Sequence, residues 1–151
     1  MKLVVEDLND LPTQEFILDT AQRVHVMQVS YWVYANDVQA SDTFEANIYD
    51  SDMNLVWTKA LTGSLILSYI DATNTYAHGK LNIPTENELI LSKGTYTTEL
   101  VQLTGYTANN FLSWARDWES TYQPTYSVAQ NDGFDPFYFR LYDTRAREVS
   151  T

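Results

Sequence analysis

The chain has 151 residues, no Cys, and a formal net charge of −11 with a pI near 4.3. A chain of this length suits one domain that buries about 68–70% of its unfolded surface, so a core can form without staples. The missing Cys excludes disulfides and thiolate metal sites and fits manufacture in a reducing cytoplasm, while the acidic balance argues against nucleic acid and anionic membranes as partners.

Residues 1–12 read as a short acidic arm closed by Pro12. Its start, Met1 to Asp7, is no signal peptide, because acidic residues interrupt any apolar region. No apolar run approaches the about 20 residues of a membrane span. A first strand is expected around Phe16, Ile17 and Leu18. Arg23 to Ala35 is the longest strand candidate, with Met27, Val29, Tyr31 and Val33 facing inward and Gln28, Ser30, Trp32 and Tyr34 outward. Asn36-Asp37 signals a turn.

Thr43 to Asp50 alternates, with Phe44, Ala46 and Ile48 on one side and Glu45, Asn47 and Tyr49 on the other. The turn Asp50-Ser51-Asp52-Met53-Asn54 is rich in Asx residues, and Leu55 to Leu61 returns to complete a hairpin. Ser64 to Ile70 and Tyr76 to Ile83 read as further strands around a polar loop at 71–74. Pro84 to Glu88 reads as a loop, Leu89 to Leu91 as a short apolar segment, and Ser92-Lys93-Gly94 as a tight turn with Gly94 at positive φ. Thr95 to Leu103 and Asn110 to Trp118 are the next strands. A polar and aromatic loop runs on through Gln130, and Phe137 to Asp143 closes the domain before a polar tail, 144–151.

About nine short strands at this spacing, with almost no helical patterning, predict an all-β protein: a single antiparallel β-sandwich over 13–143 with polar N- and C-terminal arms. The expected core is Phe16, Met27, Val29, Tyr31, Val33, Phe44, Ala46, Ile48, Leu65, Leu67, Leu81, Ile83, Tyr96, Leu100, Phe137, Phe139 and Leu141.

Recognisable catalytic chemistry is missing. A zinc site needs three or four ligands, and His25 and His78 stand without a third His or any Cys. Asp50, Asp52 and Asn54 alternate as Ca²⁺ ligands do, but the Gly and Glu of a Ca²⁺ loop are absent, so an Asx-closed turn explains them better. No Gly-x-Ser-x-Gly is present for a serine nucleophile. No metal, cofactor or enzymatic activity is expected.

The densest aromatic cluster is Trp114, Arg116, Trp118, Tyr122 and Tyr126. Trp114, Arg116 and Trp118 share one face of a strand. Stacked rings beside a guanidinium suit a sugar or a protein anchor, and a pair of core-filling Trp explains the same residues. With Trp32 and Tyr34 these residues form the candidate binding surface. Val4 and Val5, which can add a strand to a partner's sheet, and Arg145 and Arg147, which can pair with the acidic body of a neighbouring copy, are the candidate assembly contacts.

Three places resemble jelly-roll or galactose-binding-like β-sandwich domains of the kind found in bacteriophage virion proteins and carbohydrate-binding modules. They are Val24 to Tyr34 followed by Phe44-Glu45-Ala46-Asn47-Ile48-Tyr49-Asp50, then Leu89 to Tyr96, and finally Asp135 to Asp143. The resemblance covers about 120 residues. It implies a non-enzymatic virion structural protein made in the host cytoplasm: a capsid decoration or auxiliary subunit first, a tail or fibre position close behind. Its partners would be other virion proteins or copies of itself. The alternative it implies is a carbohydrate-binding module that reads surface glycans through exposed aromatics.

Overall fold

A computed structural model describes residues 5–70, 77–117, 127–128 and 136–149. Two five-stranded antiparallel sheets pack face to face. The strands are β1 (Val5–Asp7), β2 (Thr13–Leu18), β3 (Val24–Asn36), β4 (Thr43–Tyr49), β5 (Leu55–Thr62), β6 (Ala77–Leu91), β7 (Gly94–Thr104), β8 (Phe111–Ala115), β9 (Ser127–Val128) and β10 (Phe139–Asp143). In the first sheet β1, β8, β3 and β6 follow one another, and β10 pairs with the N-terminal half of β3. The second sheet runs β5-β4-β7-β2-β9. From β2 to β8 the chain crosses between the sheets at every step except the β4–β5 hairpin, which is jelly-roll topology.

The alternation seen in the sequence drives this packing. Phe16 and Leu18 of β2, Phe44, Ala46 and Ile48 of β4, and Tyr96 and Leu100 of β7 point from the second sheet into one core. Val29, Tyr31 and Val33 of β3, Leu81 and Ile83 of β6, and Phe139 and Leu141 of β10 meet them from the first. The rings of Phe16, Phe139 and Tyr31 interlock at centroid distances of 4.9 and 5.4 Å. The Tyr31 hydroxyl bonds to Thr98 at 2.7 Å, so the deepest polar group is satisfied.

Met27, expected inward, is only half-buried, and Val26 is the core residue instead. Against β10, β3 carries one extra residue, Met27, between Val26 and Gln28, a bulge that flips the inward phase; against β6 the register slips at the same place, from Val26↔Leu89 to Gln28↔Pro84. The Asx-rich turn is as expected: Asp50 Oδ1 accepts from the backbone N–H of Asp52 and of Asn54, both at 2.9 Å.

Several expectations need correction. Ser64 to Ile70 is no strand; Gly63–Tyr69 forms a helix, α1, capped by Thr62, whose Oγ1 accepts from Leu65 N at 3.1 Å. Two helical turns send Gly63 and Ile66 inward, leave Leu65 exposed and Leu67 only partly buried. Gly63 is required, because a Cβ there would sit 1.9 Å from Gln39 O. Pro84 to Glu88 falls within the span of β6 and Pro84 pairs with Gln28, but Thr85 to Glu88 have no register partner on β3 and Glu86 takes a φ of 58°, so the expected loop is an irregular stretch inside the strand. Gly94 opens β7 without a left-handed φ; among the described residues Gly105, at φ +83, is the glycine that needs one.

The ends are not free arms among the described residues. β1 pairs with β8, and Leu8, in the 3-10 turn Leu8–Asp10, is 1% exposed. The tail folds back on β10: Glu148 bridges Tyr142, and Val149 donates to Leu141 O at 2.9 Å and enters the core. Burying Leu8 and Val149 holds each end on the sandwich.

Candidate functional site

The outer face of the first sheet carries the candidate site. Beyond the β3 bulge, even-numbered side chains of β3 turn away from the core, beside even-numbered side chains of β6. The register sets Tyr34 opposite His78, Trp32 opposite Lys80, Ser30 opposite Asn82, and Gln28 opposite Pro84. On the other flank of β3, Arg140 lies opposite Ser30 and Tyr142 opposite Gln28.

These side chains form a continuous half-buried row. His78 stacks on Tyr34 at 5.0 Å and 21°, and tilts against Trp32 at 5.7 Å. Trp32 meets Tyr138 edge-on at 5.8 Å, and the Arg140 guanidinium lies 4.2 Å from the Tyr138 ring centroid. Lys80 Nζ donates to the Tyr142 hydroxyl at 2.6 Å. At the centre, Ser30 Oγ donates to Asn82 Oδ1 at 2.7 Å, and Gln28 Nε2 reaches the same oxygen at 3.3 Å. Partial burial pushes the Tyr34 hydroxyl above its ordinary pKa.

The row is anchored below by a buried ion pair. Arg140, 3% exposed, contacts Asp117 through Nη2 at 2.5 Å and Glu148 through Nε at 3.7 Å. Its planar guanidinium is thereby fixed as a platform under Tyr138. At the far end, an open depression of about 400 Å³ is lined by Met27, Gln28, Lys80, Pro84 and Tyr142, among others. The arrangement offers flat rings, two amides, a hydroxyl and an ammonium, which can stack and hydrogen-bond but present no nucleophile–base pair.

Of the residues singled out in the sequence, Trp32 and Tyr34 belong to this row. Trp114 does not: it is fully buried, stacked on Phe137 at 4.5 Å, edge-on to Tyr31 at 5.4 Å, and donates Nε1–H to Tyr138 O at 2.8 Å. Arg116, 6% exposed, lies over the Phe137 ring at 4.2 Å. Both are therefore core residues and not a binding surface. Ser113 and Ala115, on the opposite side of β8, are buried as well, so β8 is a central strand covered on both faces. Trp118, Tyr122, Tyr126 and Val4 lie outside the described residues.

The assembly contacts also change. Val5 pairs with Ala115 of its own chain. Arg145 and Arg147 sit in the exposed turn after β10, where Asp143 Oδ1 accepts from both backbone N–H groups, and Arg147 Nε lies 3.6 Å from Asp143. Neither stands in a free tail.

Sequence reasoning missed His78, Lys80, Asn82, Tyr138, Arg140 and Tyr142. The signal was available in part: even-numbered polar and aromatic residues of β6 mirror those of β3, but which strands are neighbours is set by the jelly-roll crossover. Among the described residues, no group of three His, Cys, Asp or Glu converges to hold a metal ion. No family model matches the chain, and neither the curated proteins nor the solved structures yield a match.

Proposed function

We propose that this chain is a non-enzymatic structural subunit of a phage virion that acts by protein–protein assembly, as a decorating or auxiliary subunit of the capsid or a component of tail or fibre. The virion part of this reading comes from the resemblance of its motifs. The binding part is carried by one observation: the half-buried Tyr34–His78–Trp32–Tyr138 row on the outer face of the first sheet. Aromatic side chains held rigid by their neighbours are the anchors that dominate protein interfaces. The test is co-expression with the products of the genes adjacent to its own. Trp32→Ala and Tyr34→Ala should lower particle occupancy several-fold while the purified variants stay folded. Normal occupancy of both variants would refute the assignment of this face.

A second reading, glycan recognition, is favoured by the Gln28–Ser30–Asn82 cluster beside those rings. Flat rings stack on sugars, and amides exchange hydrogen bonds with hydroxyls. A glycan array separates the readings: selective binding that Tyr34→Ala abolishes supports the sugar, and a blank array supports the protein partner.

A further inference from the structure

Among the described residues the two sheets have five outer strands, β1, β6, β10, β5 and β9, and they differ; β10 has five residues and the returning tail bridges it at Tyr142 through Glu148. β1 has three described residues and β9 two. β6 is long, but it carries Pro84, and α1 abuts it closely enough that a Cβ on Gly79 would lie 2.4 Å from Tyr69 O. Short strands, proline and a covering helix are the usual ways of closing an edge to further pairing. β5 is different. It is eight residues, Leu-Val-Trp-Thr-Lys-Ala-Leu-Thr, without Pro or Gly. It pairs on one side with β4, and the backbone groups of Leu55–Leu61 have no other hydrogen-bond partner among the described residues.

Alternate residues of such a strand turn both N–H and C=O outward. The register slips once, at Val56, so the straight part of the edge is Trp57–Thr62. The charge that guards this strand is already neutralised: Lys59 Nζ lies 3.2 Å from Glu86. The indole Nε1 of Trp57, 4% exposed overall, is buried without an acceptor.

The face next to this edge is acidic. Glu15, Glu45 and Glu99 project from the outer side of the second sheet, and none has a cationic partner among the described residues. Glu45 and Glu99 share the Asn47 amide at 2.9 and 3.1 Å, and Asn47 stands opposite Thr58 of β5. The Tyr49 hydroxyl, donating to Glu99 at 2.6 Å, is pushed up to about 12 by that bond, by burial and by the charges of Glu99 and Glu45.

We propose that β5 is a docking edge for an extended segment of a partner protein that carries Lys or Arg at alternate positions, added as a further strand of the second sheet. Its main chain meets the open N–H and C=O groups. Its outward side chains lie about 10 Å from β4 by strand spacing, a gap that a leaning Lys or Arg and Glu45 span together. A second copy of this chain fits less well: it brings another −11 and the same unpaired carboxylates to the seam. This inference stands apart from the aromatic row on the other sheet.

The probe is an amidated heptapeptide alternating Val with Lys, titrated into the isotope-labelled full chain while backbone hydrogen exchange is followed. At saturation the outward amides of β5 should exchange roughly tenfold or more slowly. The same peptide with Glu for Lys should leave them unchanged. The double variant Glu45→Gln with Glu99→Gln should weaken binding roughly fivefold, and added salt should do likewise. The proposal falls if the Lys peptide fails to slow β5, if it slows only other faces, or if the Glu peptide works equally well. It also falls if β5 amides become protected with rising protein concentration and no peptide, which would make a second copy the occupant.

Discussion

Replacing Trp114 separates a core role from a binding role. Its ring is fully buried between Phe137 at 4.5 Å and Tyr31 at 5.4 Å, on a strand covered on both faces. Removing a buried Trp down to Ala costs about 3–5 kcal/mol through lost transfer energy and the cavity left behind. The Tyr138 carbonyl then loses the donor now 2.8 Å away, which adds about 1 kcal/mol. Trp114→Ala should therefore lie near the top of that range, about 5 kcal/mol. At about 2–4 °C per kcal/mol for a domain of this size, melting falls by about 10–20 °C. Trp114→Phe keeps most of the ring and loses the hydrogen bond, so it should cost about 1–2 kcal/mol. Urea denaturation of the purified variants reads both. A loss under about 1 kcal/mol for the Ala variant, with binding impaired, would refute the burial argument and return Trp114 to the surface.

Gly79→Ala should cost about 1–3 kcal/mol in thermal melting, because the new methyl meets the Tyr69 carbonyl at 2.4 Å and α1 must shift; a neutral result would mean that α1 does not rest on β6. By ultraviolet titration, Tyr49 should ionise near pH 12 in the native chain and move toward the ordinary value of about 10 in Glu99→Gln. Because its folded pKa is raised, the stability it contributes is complete below about pH 10 and disappears as pH rises through about 12. Burial alone would raise the Asp143 carboxyl, but the N–H groups of Arg145 and Arg147 and their charges outweigh it and hold it below the usual range. Its contribution is present above about pH 4 and is lost as pH falls through the depressed value, so Asp143→Asn should flatten the acid limb of the stability curve. An unchanged limb would show that the turn after β10 is not held by Asp143.

The sandwich was legible because period-2 alternation is clean in β4 and holds from Val29 to Val33 of β3, and alternation is what a half-buried strand must have. It failed where one residue changed the phase. The bulge at Met27 exchanged Val26 for Met27 in the core, and no residue type there announces it. In Gly63–Tyr69 the run Leu-Ile-Leu satisfies both periods, and only the Thr62 cap and a glycine pressed against Gln39 decide for helix. Trp114 was ambiguous for a third reason: the apolar character of Ser113 and Ala115 is low, yet a central strand buries both faces whatever they carry. Half of the outer row was visible on β3. The other half needed the pairing of β3 with β6 and β10, contacts between segments about 45 to 115 residues apart that no local pattern encodes.

The distribution of cations leaves part of the acidic surface without a positive charge beside it. Lys59 faces Glu86, Lys80 is committed to Tyr142, Lys93 to Asp19, Arg116 to the Phe137 ring, Arg140 to Asp117 and Glu148, and Arg147 to Asp143. Exposed pairs such as Lys93–Asp19 add at most about 1 kcal/mol of stability each. Pairing leaves the net charge at −11, but it fixes these cations beside other groups, so that among the described residues carboxylates such as Glu15, Glu45 and Glu99 face outward with no cation beside them. A partner approaching that face gains by bringing cations, and a copy of the same chain is repelled at long range. Assembly in many copies, which the proposed virion role requires, would have to turn these acidic faces away from one another or bridge them with a basic segment. The open β5 edge lies beside the face where such a bridge would act.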